Sequence, residues 1–157
     1  MRVEDCLACN LTNGKLDLPG GRIYATKHWV VEHSIGPLGV GTLIVKPVRH
    51  CLHYWQLNDE EAAELGPLLH LIANVIRTIL KPDQIYICQW SHAGWKPGHL
   101  HFVVQPSWNR LQKKHEKPGP FLQVEMFIAD KKPLRKEIEA FSEKARIVIQ
   151  SLERKKH

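Results

Sequence analysis

Apolar residues recur along this chain with two periods, and the switches between them separate strands from helices. Ile23 to Ala25 and Trp29 to His33 are short β-branched and aromatic runs broken at Thr26-Lys27, the pattern of a hairpin. Ile35-Gly36-Pro37-Leu38-Gly39-Val40-Gly41 is punctuated as a loop, and Thr42 to Lys46 resumes a strand that Pro47 closes. Leu65, Leu68, Leu69, Ile72, Ile76, Ile79 and Leu80 then repeat at three- and four-residue spacing. That stripe predicts a long helix with one face for a sheet, capped by Asn58 with Glu61 three places on, and stopped at Pro82. Asp59-Glu60-Glu61 suits the positive end of its dipole.

Gln84 to Trp90 and His99 to Gln105 predict two more strands, joined by a loop from Ser91 to Gly98. After a loop around residues 107–120, Leu122 to Ile128 reads as a sixth strand. Leu134, Ile138, Phe141, Ala145, Ile149 and Leu152 form a second helical stripe after Pro133, running to about residue 153. The first twenty residues are turn-rich, end in Pro19-Gly20-Gly21, and resemble a knuckle before a sheet. The expected class is α+β: a mostly antiparallel sheet of five or six strands packed with one long central helix and a C-terminal helix. Residues 1–157 are expected to form a single domain, with the knuckle (about 1–20) and the C-terminal helix (133–157) as parts of it.

Composition narrows this picture modestly. The chain has 157 residues, 43% hydrophobic and 24% charged, enough for one packed core and against disorder. Met1-Arg2-Val3-Glu4-Asp5-Cys6 offers no apolar leader, and no later run approaches the ~20 residues that span a bilayer, so no membrane is expected and the setting is expected to be cytoplasmic. A net charge of +6 favours anionic partners such as nucleotides, nucleic acid or other phosphates. Much of it lies in residues 110–117 and the tail 153–157, where a solvated loop and a helix end account for it. A nucleic-acid contact at 110–117 is the weaker reading.

The ten histidines are more informative. In His99-Leu100-His101-Phe102-Val103-Val104-Gln105-Pro106, strand alternation puts His99, His101 and Val103 on one face and Leu100, Phe102 and Val104 on the other. The two imidazoles then stand about 7 Å apart at Cα. Two histidines can simply decorate a half-exposed strand, but Cys6-Leu7-Ala8-Cys9 adds two thiolates within reach of one tetrahedral ion that needs two further ligands. A redox dithiol would sit at a helix start in a βαβ context, which the pattern lacks, and a disulfide does not suit a chain without a secretion signal. Cys51 and Cys88, isolated beside apolar residues, read as small buried hydrophobes.

Cys6-Leu7-Ala8-Cys9, then Gly41-Thr42-Leu43-Ile44-Val45-Lys46-Pro47-Val48-Arg49-His50, then Ala93-Gly94 ahead of His99-x-His101, resemble the zinc-bearing branch of the histidine triad (HIT) superfamily of nucleotide hydrolases and transferases. The resemblance covers roughly residues 6–106 and implies a HIT-like fold in which Cys6, Cys9, His50 and His99 bind one structural zinc ion. His53 and His92 are spare candidates, with His53 placed at the surface or core edge. The resemblance makes His101 the nucleophile that attacks the α-phosphate of a nucleotide or dinucleoside polyphosphate, and it implies a homodimer.

The sequence departs from the family where the third histidine, or a glutamine, is expected: Val103 stands there and can neither donate to a phosphate nor protonate a leaving group. Gly94-Trp95 replaces a common Gly-Gln, and Cys88 or Gln89 replaces an asparagine. Lys96 is the candidate for the missing charge, although an exposed loop lysine is the plainer reading; Gln105 lies too far along the strand. Ser34 falls at the position that contacts ribose. Trp29, Trp90 and Trp95 are open as base-stacking groups, Trp95 being the one placed in the substrate site, whereas Trp55 and Trp108 read as structural. A nucleotide-binding protein without efficient turnover is the alternative to the enzyme.

Overall fold

A computed structural model describes residues 4–92, 94 and 96–155. Along the chain run α1 (Leu7–Thr12), β1 (Arg22–Ala25), β2 (Trp29–His33), β3 (Leu43–Pro47), a 3-10 turn (Tyr54–Gln56), α2 (Asp59–Leu80), β4 (Gln84–Trp90), β5 (His101–Ser107), α3 (Asn109–His115), α4 (Pro120–Ala129) and α5 (Arg135–Arg154). The five strands form one sheet in the order β1-β2-β3-β5-β4, with every neighbouring pair antiparallel. The architecture is the expected α+β, with five strands among the described residues.

Helix α2 starts where its capping residues dictate. Asn58 Oδ1 accepts from the Glu61 N–H and Glu61 Oε2 accepts from the Asn58 N–H, each at 2.9 Å. Lys81, with φ of 48°, ends the helix in the left-handed region just before Pro82. Leu65, Leu68, Leu71, Ile72, Val75 and Ile76 are buried in one cluster with Val31, Leu43, Val45, Leu100, Phe102 and Val104 of the sheet, and with Phe141, Ala145 and Ile149 of α5. With 22 residues and a mean hydropathy of 1.3, α2 has the length and composition of a membrane span, contrary to the sequence expectation. Its apolar stripe is instead buried under the sheet and α5.

Two elements differ from expectation. Leu122 to Ile128 lies in helix α4, not a sixth strand. The alternation of Leu122-Gln123-Val124-Glu125-Met126 favours a strand; here Pro120 takes the first helical turn, where its missing N–H is harmless, and only Leu122 and Gln123 are buried. The expected loop at 107–120 contains α3, whose first N–H, that of Asn109, is met by Asp83 Oδ2 at 2.8 Å. The partner that caps it is distant in sequence.

The face of the sheet away from α2 carries His101 and a buried ion pair. The register aligns Arg22, Glu32, Ile44, Val103 and Cys88 across it, with His101 opposite Trp90 in the neighbouring row. Lys46 shares this face, is 1% exposed, and donates to Glu32 Oε1 and to the Ala8 carbonyl of α1. Burial pushes the Glu32 carboxyl up while the Lys46 ammonium opposes it. Breaking such a pair leaves an uncompensated buried charge. Lys46→Met should therefore destabilise the protein by about 3–5 kcal/mol in urea unfolding, and Glu32→Gln added to it should recover part of that loss.

Candidate metal centre and nucleophile

The N-terminal knuckle is a short helix whose first cap is a thiol: Cys6 Sγ accepts from the Cys9 N–H at 3.5 Å, and the helical turn brings the two sulfurs together. His50 follows Pro47 at the end of β3, and His99 lies just ahead of β5, its N–H donating to the Ser91 carbonyl at 2.8 Å. These segments bring the ligand atoms of Cys6, Cys9, His50 and His99 within 4.8 Å of one another. Cys6 Sγ and Cys9 Sγ each stand 3.5 Å from His99 Nδ1, and Cys9 Sγ stands 3.4 Å from His50 Nδ1. A tetrahedral zinc with Zn–S of about 2.3 Å and Zn–N of about 2.0–2.1 Å places sulfur and nitrogen about 3.6 Å apart, so the spacing fits that ion.

The protonation states fit as well. His99 Nε2 donates to the Pro47 carbonyl at 3.0 Å, which leaves the Nδ1 lone pair directed at the sulfurs. Burial pushes the His99 imidazole down to about 4, and burial also lowers His50, so both rings favour the neutral form that ligates. Two thiolates and two imidazoles complete the shell and make this a closed structural zinc site. Its work is to tie α1 to the sheet. His53 lies outside it, stacked on Trp55 with ring centres 4.3 Å apart.

His101 is half-buried at the start of β5. Leu100, Phe102 and Val104 belong to the core, so alternation turns His101, Val103 and Gln105 to the opposite face. His101 Nδ1 donates to the His99 carbonyl at 2.8 Å, which fixes the tautomer with the lone pair on Nε2. Burial pushes this imidazole down too, opposed by that hydrogen bond. The result is a neutral, oriented imidazole whose position depends on the backbone of His99.

The remaining expected site residues fare differently. Val103 is buried opposite Ile44 and Cys88, an apolar wall where the resemblance led to the expectation of a polar group. Cys88 is only part-buried, less enclosed than expected, whereas Cys51 is buried. Gln105 is buried, its amide donating to the Leu38 carbonyl and to Met126 Sδ and not toward His101. Ser34 is buried, and its Oγ accepts from the Gly36 N–H at 3.1 Å. Lys96 is exposed in the loop before His99. Trp95 and the motif residue Ala93 lie outside the described residues.

Trp29 is removed from the base-stacking candidates: it is fully buried and donates from Nε1 to the Glu61 carbonyl. Trp90 is half-buried beside the site and donates to Gln123 Oε1 of α4 at 3.0 Å. Trp55, expected to be structural, is 79% exposed. Trp108 is half-buried ahead of α3, with the Arg110 guanidinium 5.6 Å from its ring centre. Sequence reasoning placed His92 among spare metal ligands; the structure puts its ring 5.4 Å from that of His101. The strand pairing held the signal, because Trp90 faces His101 and His92 follows by two residues.

No protein-family model matches the sequence, and no curated protein does. Solved structures do match. A hypothetical histidine triad nucleotide-binding protein of Sulfolobus tokodaii superposes with a TM-score of 0.74 at 22% identity, covering 96% of this chain and 95% of that one. A zinc-bound histidine triad family protein of Mycobacterium smegmatis gives 0.68 at 22% identity, covering 94% and 95%. A HIT family member of Bacillus subtilis gives 0.59 at 20% identity, covering 83% and 99%. The chain therefore has the histidine triad fold, and its Cys6-Cys9-His50-His99 cluster fits a structural zinc ion.

Because a structural metal contributes folding energy, Cys6→Ser and Cys9→Ser should each lower metal content and stability together. The check is zinc analysis by mass spectrometry beside thermal unfolding, and a full zinc load in the double variant would exclude these ligands.

Proposed function

We propose that this protein hydrolyses or transfers at the α-phosphate of a nucleotide or dinucleoside polyphosphate, with His101 as the covalent nucleophile. The observation that carries this reading is the 2.8 Å hydrogen bond from His101 Nδ1 to the His99 carbonyl, which holds a neutral ring with Nε2 as its nucleophilic atom. Nε2 attacks phosphorus, the bond to the leaving oxygen breaks, and a nucleotidyl-histidine forms. Water then displaces His101 and releases a nucleoside monophosphate; another phosphate in place of water makes the same enzyme a transferase. Zinc takes no part in these steps, since its four ligands leave no open position.

Charge on the phosphate oxygens has to be met by groups positioned beforehand. Lys96 supplies a cation from the loop, Trp95 a base-stacking surface, and Ser34 a hydroxyl for the ribose. Of these, Ser34 is buried, so a sugar reaches it after a local movement. The reading goes with a homodimer and a reducing, cytoplasmic setting that keeps the cysteine ligands as thiols.

The second reading, a nucleotide-binding protein with little turnover, is favoured by one observation: Val103 is buried and apolar at the third triad position. One experiment separates the two. Incubation with a nucleotide library, followed by mass analysis of products and protein, should show monophosphate and a nucleotidyl adduct on His101. His101→Ala should reduce release to background with zinc content unchanged. Binding with neither product nor adduct in the wild type would establish the second reading.

A further inference from the structure

We propose that His92 supplies the second imidazole of the reaction, acting as proton donor to the leaving group in place of the triad residue that Val103 has replaced. This inference rests on the nucleotidyl-transfer reading above and assigns one more residue within it. The His92 and His101 ring centres are 5.4 Å apart, with planes tilted by 35°. A reacting phosphorus lies about 3–3.5 Å from its nucleophile. A phosphoryl group seated between the two rings, whose centres are 5.4 Å apart, then has its oxygens within hydrogen-bonding reach of His92.

The backbone explains why His92 stands there. Trp90 is the last residue of β4 and pairs with His101. His92, two residues on, has φ of 54°, a left-handed conformation that turns the chain out of the strand. Its ring stacks along Trp90, with centres 6.3 Å apart and planes 16° from parallel. The indole is itself anchored by its hydrogen bond to Gln123. The imidazole is exposed toward solvent while lying beside the nucleophile, a suitable place for a group that meets substrate and exchanges protons. Val103, by contrast, is buried under an apolar surround and has no proton to give.

The proton balance closes in two half-reactions. In the first, His101 Nε2 bonds to the α-phosphorus, the bond to the leaving oxygen breaks, and that oxygen takes a proton from the His92 imidazolium. In the second, neutral His92 accepts a proton from water as the water oxygen attacks phosphorus. The P–N bond breaks, its electron pair returns to His101 Nε2, and His92 is protonated again.

The test compares wild type, His92→Ala and His92→Gln on two nucleoside 5′-monophosphate aryl esters, one releasing 4-nitrophenol and one releasing phenol. A nitrophenolate leaves without a proton and a phenolate does not. General acid catalysis is typically worth about 10²–10⁴-fold, so His92→Ala should lose that much kcat/KM on the phenyl ester and less than about tenfold on the nitrophenyl ester, with zinc content unchanged. His92→Gln, which can donate a hydrogen bond but no proton, should show the same leaving-group split. Equal losses on both esters, or no loss on either, would overturn the assignment while leaving the nucleotidyl-transfer reading intact. If the wild type releases no monophosphate and forms no adduct on His101 with either ester, the parent reading fails and this one with it.

Discussion

His99 is the joint on which the site depends. One ring nitrogen faces the two cysteine sulfurs, the other donates to the Pro47 carbonyl, and the residue's own carbonyl accepts from His101 Nδ1. A single residue thus joins the candidate metal site, the end of β3 and the tautomer of His101. A zinc ion held by His99 would be tied mechanically to His101, because the His99 carbonyl orients that ring. A closed site is suited to this, because four protein ligands immobilise the segment without exposing a reactive position.

The sheet divides its two faces between different tasks. One is buried beneath α2 and α5 by a continuous apolar cluster. The other is covered at one side by α1 and at the other by α4, through Lys46 bonded to Ala8 and Trp90 bonded to Gln123. Between them lies a surface whose own charges are already spent: Lys46 and Glu32 neutralise one another, and burial favours neutral His99 and His101. Ile44 and Val103 add only apolar area. On this surface His101 is the oriented imidazole, and the segment between β4 and β5 brings His92 beside it.

Much of this was legible in the amino-acid order. The strands and the long helix followed from period-two and three-to-four-residue spacing, and the Asn58/Glu61 box marked the start of α2 correctly. The metal quartet was legible because a Cys-x-x-Cys pair leaves a definite deficit of two ligands, and the resemblance identified His50 and His99 to fill it. Helix α4 was not legible, since Leu122-Gln123-Val124-Glu125-Met126 alternates apolar and polar side chains as a strand does, and only Leu122 and Gln123 are buried in the fold. Helix α3 likewise depends on a cap from Asp83, 26 residues earlier.

Local pattern therefore determined the strands and the central helix, because each is encoded by near neighbours; the Cys-x-x-Cys pair implied a metal short of two ligands, and the resemblance named His50 and His99 to fill that valence. Tertiary structure alone decided that Trp29 is core, that Ser34 is covered, and that His92 lies beside His101 and not beside the cysteines. These are consequences of strand register and of a single left-handed turn, which bring together residues whose spacing along the chain carries no record of the meeting.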